Sequence, residues 1–202
     1  MEMNLEIKKL SADLLNDWLN FFDHYAFTDH DEWAGCYCMC YHWNEALSRK
    51  KGWDCAGADA SYNRSCAIDF IQKGKMQGYL AYDHGRVVGW CNANDKAAYD
   101  NVNFDLPADD PGRRGKAVVC FCISPEFRGK GVASQLLEKV CSDAAAEGYD
   151  YVEAYPFHHD ANYAYHGPHS MYVKQGFEKH GNVNDCTILR KRLNSEAQDC
   201  LS

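Results

Sequence analysis

The 202-residue sequence has no run of about 18 apolar residues, the length that a membrane-spanning helix needs. Its first ten residues, MEMNLEIKKL, also lack the apolar stretch of a secretory signal peptide. These two absences argue against a membrane protein and against a secreted one. We therefore expect a cytoplasmic protein that has no membrane partner.

The sequence also lacks an excess of positive charge. Lys and Arg together number 21, against 29 Asp and Glu, and the formal net charge is −8 at pH 7. Because binding to a phosphate backbone requires a basic surface, nucleic acid is not an expected partner. The acidic balance is compatible with a cationic or amine-bearing substrate.

No internal repeat, low-complexity tract or Pro- or Ser-rich linker interrupts the chain. A chain of this length can bury one full hydrophobic core, and a second independent core is not expected. The sequence therefore predicts a single domain over residues 1–202.

Cysteine, in contrast, is abundant, with eleven residues. They are scattered over segments with good strand and helix patterns, whereas a disulfide scaffold is normally short and has paired cysteines. We therefore expect reduced thiols. Cys36, Cys38 and Cys40 alternate, so an extended segment would place all three on one face. Zinc sites more often use Cys-x-x-Cys, so no metal is expected and buried, unmodified thiols are the default interpretation.

The spacing of apolar residues predicts the element order β-α-α-β-β-β-α-β-α-β-β. Early antiparallel hairpins followed by a βαβ crossover imply an α/β fold with a central mixed sheet flanked by helices. The predicted helices cover residues 12–25, 62–73, 132–147 and 169–175. The predicted strands cover residues 5–10, 77–83, 86–92, 117–123, 151–155, 177–180 and 186–193.

The most informative stretch is FCISPEFRGKGVAS, at residues 121–134. A buried strand ends at Pro125, and the run Arg128-Gly129-Lys130-Gly131 then opens an amphipathic helix. Glycines allow a tight turn in which N–H groups converge, and the helix N-terminus adds partial positive charge. Such a loop favours a diphosphate. It has neither the Gly-Lys-Ser/Thr of a nucleotide P-loop nor the Gly-x-Gly-x-x-Gly of a dinucleotide site.

This stretch resembles the signature of the GNAT superfamily of acyl-CoA N-acyltransferases, which is a strand, then Arg/Gln-x-x-Gly-x-Gly/Ala, then a helix. Arg128, Gly131 and Ala133 occupy the defining positions. The run MYVKQGF, at residues 171–177, is similar to a second signature of the superfamily, Tyr-x-x-x-Gly-Phe at the end of the last helix. The predicted element order is also the GNAT order, so the resemblance covers the whole chain and implies the GNAT fold.

Within that superfamily, the sequence is similar to a bacterial subgroup with an N-terminal Cys-x-Cys-Met segment. This closer similarity supports the expected fold and says nothing about the substrate. The matching residues are Trp33, Cys36, Cys38, Met39, Gly89, Trp90, Cys120, Phe121 and 153–156.

The resemblance implies an N-acetyltransferase that uses acetyl-CoA as cosubstrate and requires no metal. In the family, the strand before the loop diverges from its neighbour, and its freed backbone groups hold the pantetheine arm. The neutral primary amine of a small-molecule or peptide acceptor then attacks the thioester directly. The residues that would bind the cofactor are Phe121, Cys122, Ile123, Arg128, Gly129, Lys130, Gly131, Val132, Ala133 and Ser134.

Two residues are the candidates for catalysis. Tyr172, in the second signature, is the predicted acid that returns a proton to the leaving thiolate, and the alternative is that it only packs. Glu153 is the leading base, because a carboxylate on a central strand is costly unless it is satisfied or functional. Its alternative is a hydrogen-bonded, structural role. The proton could instead be relayed by one of His158, His159, His166 and His169.

Two other classes of function stay open, an acyl-CoA-binding sensor without turnover and a cysteine-based redox or metal protein. Aromatic residues of the N-terminal half could form the wall of an acceptor pocket or pack in the core, namely Trp33, Tyr37, Tyr41 and Trp43. The acidic tract at residues 105–110 is interpreted as a solvated loop. The sequence determines neither the acceptor nor the acyl chain, and a homodimer is compatible with it.

Overall fold

The computed structural model of the protein describes residues 4–42, 60–99, 106–158 and 165–193. Within these ranges one sheet is flanked by α-helices. The strands are β1 (Leu5–Lys9), β2 (Gly78–Asp83), β3 (Arg86–Asp95), β4 (Gly115–Ile123), β5 (Tyr151–Ala154), β6 (Glu178–Val183) and β7 (Cys186–Arg192). The helices are α1 (Leu15–His24), α2 (Ala60–Gln72), α3 (Val132–Ala146) and α4 (His169–Lys174).

The element order predicted from the sequence is confirmed, and the boundaries differ by a few residues. Strand β3 runs three residues further than predicted, to Asp95. A buried polar residue caused this error, because Asn94 in the extension breaks the apolar pattern while its side chain is hydrogen-bonded inside the protein. Ser11 precedes the first helical turn, and its side chain makes no capping hydrogen bond.

The sheet has the strand order β1-β2-β3-β4-β5-β7-β6. All neighbouring strands are antiparallel except β4 and β5, which are parallel and are connected through α3. The mixed sheet expected from the sequence is therefore confirmed.

The parallel contact between β4 and β5 is short. It extends from the pair Gly115–Tyr151 to the pair Val118–Ala154. None of the next five residues of β4, 119–123, pairs with β5, and residues 120–123 pair with β3. A register shift opposite Asn92 and Ala93 accommodates one extra residue in β4, and such bulges bend a strand. The two central strands therefore diverge toward the end of β4.

Hydrophobic cores lie on both faces of the sheet. Helix α3 covers one face, and its apolar residues, among them Leu136, Leu137 and Val140, pack on the strands. Helices α1 and α2 cover the other face, where Trp18 and Trp90 are fully buried. No helix within the described ranges is long and apolar enough to cross a membrane.

Candidate functional site

The loop between β4 and α3 is shaped by two glycines. Gly129 has φ +72 and Gly131 has φ +84, a region that residues with a Cβ rarely adopt. Gly131 is the N-cap residue of α3, and no side chain caps the helix. A Cβ placed on either glycine would meet no protein atom within 4 Å, so open space lies next to the loop.

The backbone N–H groups of this loop have no protein acceptor. In the described part of the chain, none of the N–H groups of residues 129–134 donates a hydrogen bond. The first N–H groups of any helix lack partners within it, and here no side chain replaces those partners. Together with the positive end of the α3 dipole, these donors form a site that suits an anion such as a diphosphate.

Arg128 stabilises the loop from its outer side. Its Nε donates to the carbonyl oxygen of Ile123 over 3.0 Å, and its two terminal nitrogens donate to Asp29 over 2.5 and 3.1 Å. The hydrogen bonds from the guanidinium lower the pKa of Asp29 below its usual value. Arg128 therefore connects the loop to the segment after α1, and the anion site is formed by backbone groups.

The predicted residues 121–123 lie in the part of β4 that has separated from β5. The side chain of Phe121 faces α3, with its ring 6.5 Å from that of Tyr172. Cys122 faces the other side, where its sulfur lies 3.7 Å from the carbonyl oxygen of Ala26. The structure thus places all ten predicted cofactor residues in one continuous region, from the open edge of β4 to the first turn of α3.

Tyr172, the predicted acid, is fully buried beside this region. Its hydroxyl donates to the carbonyl oxygen of His166 over 2.6 Å, and its ring packs against Phe121 and Phe177. Burial raises the pKa of Tyr172 well above its usual value, so the phenol keeps its proton. The residue both packs and holds a proton next to the diverging strands.

Glu153, the predicted base, is fully buried in a set of ionic contacts. Its Oε1 accepts from Arg190 at distances of 2.5 and 2.8 Å. Its Oε2 lies 2.7 Å from the Lys96 ammonium and accepts from the Tyr155 hydroxyl over 2.8 Å. Both oxygens are thus occupied by donors. These contacts favour the alternative role considered above, in which hydrogen bonds hold Glu153 as part of the structure.

The acidic tract at residues 105–110 takes part in the same set of contacts, which corrects its interpretation as a solvated loop. Asp110 accepts a hydrogen bond of 2.5 Å from Arg190. Asp109 accepts from the Tyr151 hydroxyl and lies 3.7 Å from the Lys96 ammonium. The error arose because these carboxylates pair with cations far away in the sequence. Residue 105 lies outside the described residues.

The histidines expected in one loop have different surroundings. His158 contacts the Thr187 hydroxyl, with Nδ1 and Oγ1 2.8 Å apart. His169 is exposed at the start of α4, whereas His166 is buried. His159 lies outside the described residues.

His166 forms a buried pair with Tyr41. Its Nδ1 lies 2.7 Å from the carbonyl oxygen of Tyr155, which can only accept, so Nδ1 carries the hydrogen. Its Nε2 therefore accepts from the Tyr41 hydroxyl over 2.7 Å. Burial lowers the pKa of His166 to about 4, so the imidazole is neutral near pH 7. Tyr41 packs in a cluster with Val119 and Cys120, which belong to the open section of β4.

No local pattern in the sequence could have predicted this pair, because its members are 125 residues apart. The other predicted wall residues separate in the structure. The ring of Trp33 stacks on that of His30, with centroids 4.3 Å apart, and lies 5.9 Å from the ring of Tyr165. Tyr37 packs in the core against Trp18. Trp43 lies outside the described residues.

A cavity of about 670 Å³ lies at the other end of the sheet. It is lined in part by Glu147, the C-cap residue of α3, where the helix dipole is negative. Two of its three lysine and arginine side chains, Lys9 and Arg114, already form ion pairs, with Glu147 and Asp95, and the third is Lys75. The cavity therefore suits a diphosphate less well than the loop does, and we place the candidate site at the loop.

The segment with alternating cysteines is not extended. Tyr37 has φ 44 and Cys38 has φ 51, and a 3-10 helix, Met39–His42, follows directly. The three thiols therefore do not form a row on one face. Within the described ranges, no group of three or more His, Cys, Asp and Glu residues is arranged to hold a metal ion.

Comparisons with known proteins agree with this geometry. A sequence model described as the acetyltransferase (GNAT) family matches residues 8–177. Two similar solved structures are the GNAT domain of S. lividans PAT and the PaiA N-acetyltransferase of Thermoplasma acidophilum in complex with coenzyme A. The first has a TM-score of 0.58 at 14% identity and covers 93% of this chain and 90% of its own. The second has a TM-score of 0.55 at 15% identity and covers 94% and 99%.

A third similar structure is YncA of Salmonella typhimurium with its cofactor acetyl-CoA. Its TM-score is 0.51 at 14% identity, and the match covers 100% of both chains. At such low identity, the three structures show a common fold and no common substrate. A comparison with curated proteins found no match.

Proposed function

This chain belongs to the acetyltransferase (GNAT) family, and from that premise we propose that it transfers the acetyl group of acetyl-CoA to a primary amine of a small molecule or peptide. One observation carries the proposal. The N–H groups of residues 129–134 have no acceptor within the described protein, and they lie where the open section of β4 ends. This arrangement suits a long cosubstrate with an anionic diphosphate and a distant thioester.

The chain would hold acetyl-CoA mostly through its backbone. The N–H groups of residues 129–134 would donate to the diphosphate, and Lys130 adds positive charge beside them. The open edge of β4, at residues 119–123, offers peptide groups to the pantetheine arm. When bound, acetyl-CoA supplies an activated acetyl group. A strand N–H near its thioester would stabilise negative charge on the carbonyl oxygen.

Tyr172 is the proposed acid for the leaving thiolate. Its raised pKa keeps the phenol protonated, and its ring contacts Phe121 in the open section of β4. The hydroxyl proton is held by the His166 carbonyl, so the hydroxyl must turn toward the sulfur to donate it. The role is supported by the position of the phenol, which holds a proton next to the opening between β4 and β5, called the cleft below.

Changing Tyr172→Phe tests this role. We expect turnover to fall about 100-fold, the lower end of what general acid catalysis contributes. We also expect unfolding to become easier by about 1–3 kcal/mol, because the buried carbonyl of His166 loses its donor. Steady-state kinetics and urea unfolding measure the two effects.

The matched control is Tyr149→Phe, which removes the hydroxyl of another buried tyrosine at the opposite end of the sheet. It should leave turnover unchanged. Both variants should bind CoA as the wild type does. Unchanged turnover of Tyr172→Phe would show that the residue only packs.

The acceptor nitrogen must also lose a proton, and the buried pair of Tyr41 and His166 is placed to take it. The nitrogen becomes more acidic once it has bonded to the acyl carbon, so its proton can pass to a weaker base than the free ammonium would require. Tyr41 lies beside Cys120 of β4 and would pass the proton to Nε2 of His166. Glu153 stays a predicted base, but its two oxygens are occupied by Arg190, Lys96 and Tyr155.

A sensor that binds acyl-CoA without turnover is the second candidate function. It is favoured by the fully buried Tyr172 hydroxyl, which donates to a backbone carbonyl. Release of CoA thiol from acetyl-CoA in the presence of a panel of primary amines separates the two candidates. Amine-dependent release supports the transferase. Tight CoA binding with no release for any amine would support the sensor.

The anion site can be tested with the two glycines at the ends of α3. Gly131 (φ +84) precedes the helix and Gly148 (φ +77) follows it, and a Cβ on either would meet no protein atom within 4 Å. Each change to Ala should cost about 1–2 kcal/mol of stability, because both positions are left-handed. Only Gly131→Ala should also weaken CoA binding, by about tenfold, or about 1.4 kcal/mol.

Isothermal titration calorimetry with CoA measures the affinities, and dephospho-CoA is a useful second ligand because it retains the diphosphate. Both ligands should lose affinity equally for Gly131→Ala. Equal CoA affinity for the Gly131 and Gly148 variants would contradict the placement of the diphosphate at this loop.

A further inference from the structure

Two cysteines outside the proposed mechanism lie with their sulfurs next to each other. The Sγ atoms of Cys36 and Cys40 are 3.7 Å apart, and both residues are half-buried. A disulfide requires an S–S distance of about 2.05 Å. The two sulfur atoms must therefore approach each other by about 1.7 Å to form the bond.

The backbone between them brings the two thiols together. Tyr37 and Cys38 both have positive φ, 44 and 51, which is rare for two successive residues with a Cβ. The N–H of Met39 closes the turn onto the carbonyl of Cys36 over 3.0 Å. Such conformations cost about 1–2 kcal/mol per residue and persist only where the surrounding structure enforces them. The sulfurs are thus held in proximity by the fold.

The surroundings of Cys36 favour its thiolate. The Cys40 thiol and the backbone N–H groups of Cys38, Met39 and Cys40 donate to its sulfur, and together they lower its pKa. Burial opposes these hydrogen bonds at Cys36, and it dominates at Cys91 and Cys122, whose pKa values it raises. Since the thiolate is the reactive form, Cys36 is the cysteine prepared to react first.

We propose that Cys36 and Cys40 form a redox-modification site, a dithiol that hydroperoxides oxidise reversibly to a disulfide. The Cys36 thiolate attacks one peroxide oxygen, the O–O bond breaks, and Cys36 becomes a sulfenic acid, while the other oxygen takes up the proton that Cys36 released and leaves as water or an alcohol. The Cys40 sulfur then attacks the Cys36 sulfur, the S–S bond forms and the S–O bond breaks, and the departing hydroxyl group takes the Cys40 thiol proton and leaves as water. Each sulfur loses one electron, and the peroxide gains these two electrons.

The site is coupled to the acceptor side of the cleft. Tyr41 directly follows Cys40 and donates to His166, and Cys38 accepts from the buried amide of Asn92 over 3.2 Å. Closing the disulfide moves the turn that positions both residues. The expected effect on activity rests on the proposed function. Oxidation lowers acetyl transfer to the amine, and it leaves CoA binding unchanged because the loop at residues 129–134 is separate from this turn.

The full-length chain treated with one equivalent of hydrogen peroxide tests the proposal. Mass spectrometry after alkylation should show the loss of two hydrogen atoms in the peptide that carries Cys36 and Cys40, and dithiothreitol should reverse it. Cys40→Ser should stop at a sulfenic acid on Cys36, which a sulfenate-trapping dione labels. Cys36→Ser should react at least tenfold more slowly. Cys66→Ser, another half-buried cysteine, should behave as the wild type does.

Equal rates for Cys36→Ser and the wild type, or oxidation at other cysteines only, would overturn the redox site. Disulfide formation is measured without any acetyltransferase activity. The test of the redox site therefore gives an answer even if the proposed function is wrong. In an active preparation, oxidation should lower turnover at least fivefold and leave CoA affinity unchanged. Unchanged turnover of the fully disulfide-bonded protein would overturn the coupling to the cleft.

Discussion

Glu153→Gln is expected to lower the free energy of unfolding by about 3–5 kcal/mol, the cost of breaking a buried ion pair from one side. Glu153 is the central anion of its contacts, since it binds both Lys96 and Arg190 in the interior. The amide carries no charge and cannot accept as strongly from two cations. Lys96 would then be left with Asp109, at 3.7 Å, as its charged neighbour.

Urea unfolding followed by circular dichroism measures the effect, and the melting temperature should fall by roughly 10 °C for a chain of this size. Glu138→Gln, an exposed change on α3, is the control and should stay within about 0.5 kcal/mol of the wild type. Adding Lys96→Met to Glu153→Gln should restore part of the stability, because it removes the cation that lost its partner.

The same variant decides between the two roles considered for Glu153. A structural role predicts a large loss of stability and near-normal turnover per folded molecule at low temperature. A stable Glu153→Gln variant with turnover lowered at every pH would instead support Glu153 as the base and contradict the role given to its ion pairs.

The second large effect is a loss of stability in mild acid, caused by two buried histidines. Burial lowers the pKa values of His42 and His166 from 6.5 to about 4. Between these values the unfolded chain binds protons that the folded chain does not. The stabilisation is therefore complete above pH 6.5 and is lost as the pH falls toward 4. The difference corresponds to about 3 kcal/mol for each histidine.

Each of the two buried histidines has a hydrogen-bond donor beside its Nε2. The amide of Asn92 donates to Nε2 of His42 over 3.2 Å, and the Tyr41 hydroxyl donates to Nε2 of His166. A proton on either Nε2 would face a donor. Urea unfolding at a series of pH values should show stability rising by about 1–3 kcal/mol per pH unit between pH 4.5 and 6.

His42→Gln and His166→Gln are the matched variants, since Gln keeps an acceptor and does not titrate in this range. Each should be less stable than the wild type at pH 7 and should show a smaller rise with pH. The double variant should show neither histidine contribution. If neither variant changes the slope of the free energy of unfolding against pH, the acid sensitivity comes from the carboxylates instead.

The fold was predictable because its signals are local. The hairpin at His84-Gly85, the helix that starts at Val132 and the strand after Gly148 each follow from neighbouring residues. The candidate anion site is equally local, since its donors belong to a single stretch, residues 129–134. The mixed character of the sheet was also predictable, because the βαβ crossover makes β5 parallel to β4.

The polar contacts of the interior were not predictable, because they join distant parts of the chain. Tyr41 and His166 are 125 residues apart, and Glu153 and Arg190 are 37 apart. Apolar periodicity indicates which residues are buried and does not show which donor meets which acceptor. The conformation around Cys36 was missed for a related reason, since positive φ at Tyr37 and Cys38 depends on the surrounding structure.

The short contact between β4 and β5 has a consequence for the stability of the chain. Within the sheet, strands β1 to β4 and strands β5 to β7 are joined by four residue pairs at one end. A molecule that hydrogen-bonds across the open end would connect the two halves and add its binding free energy to that of folding. When the concentration of the free molecule is 100 times its Kd, it stabilises the fold by about 2.7 kcal/mol. If acetyl-CoA is that molecule, a cell that runs short of it would also shorten the lifetime of the folded chain.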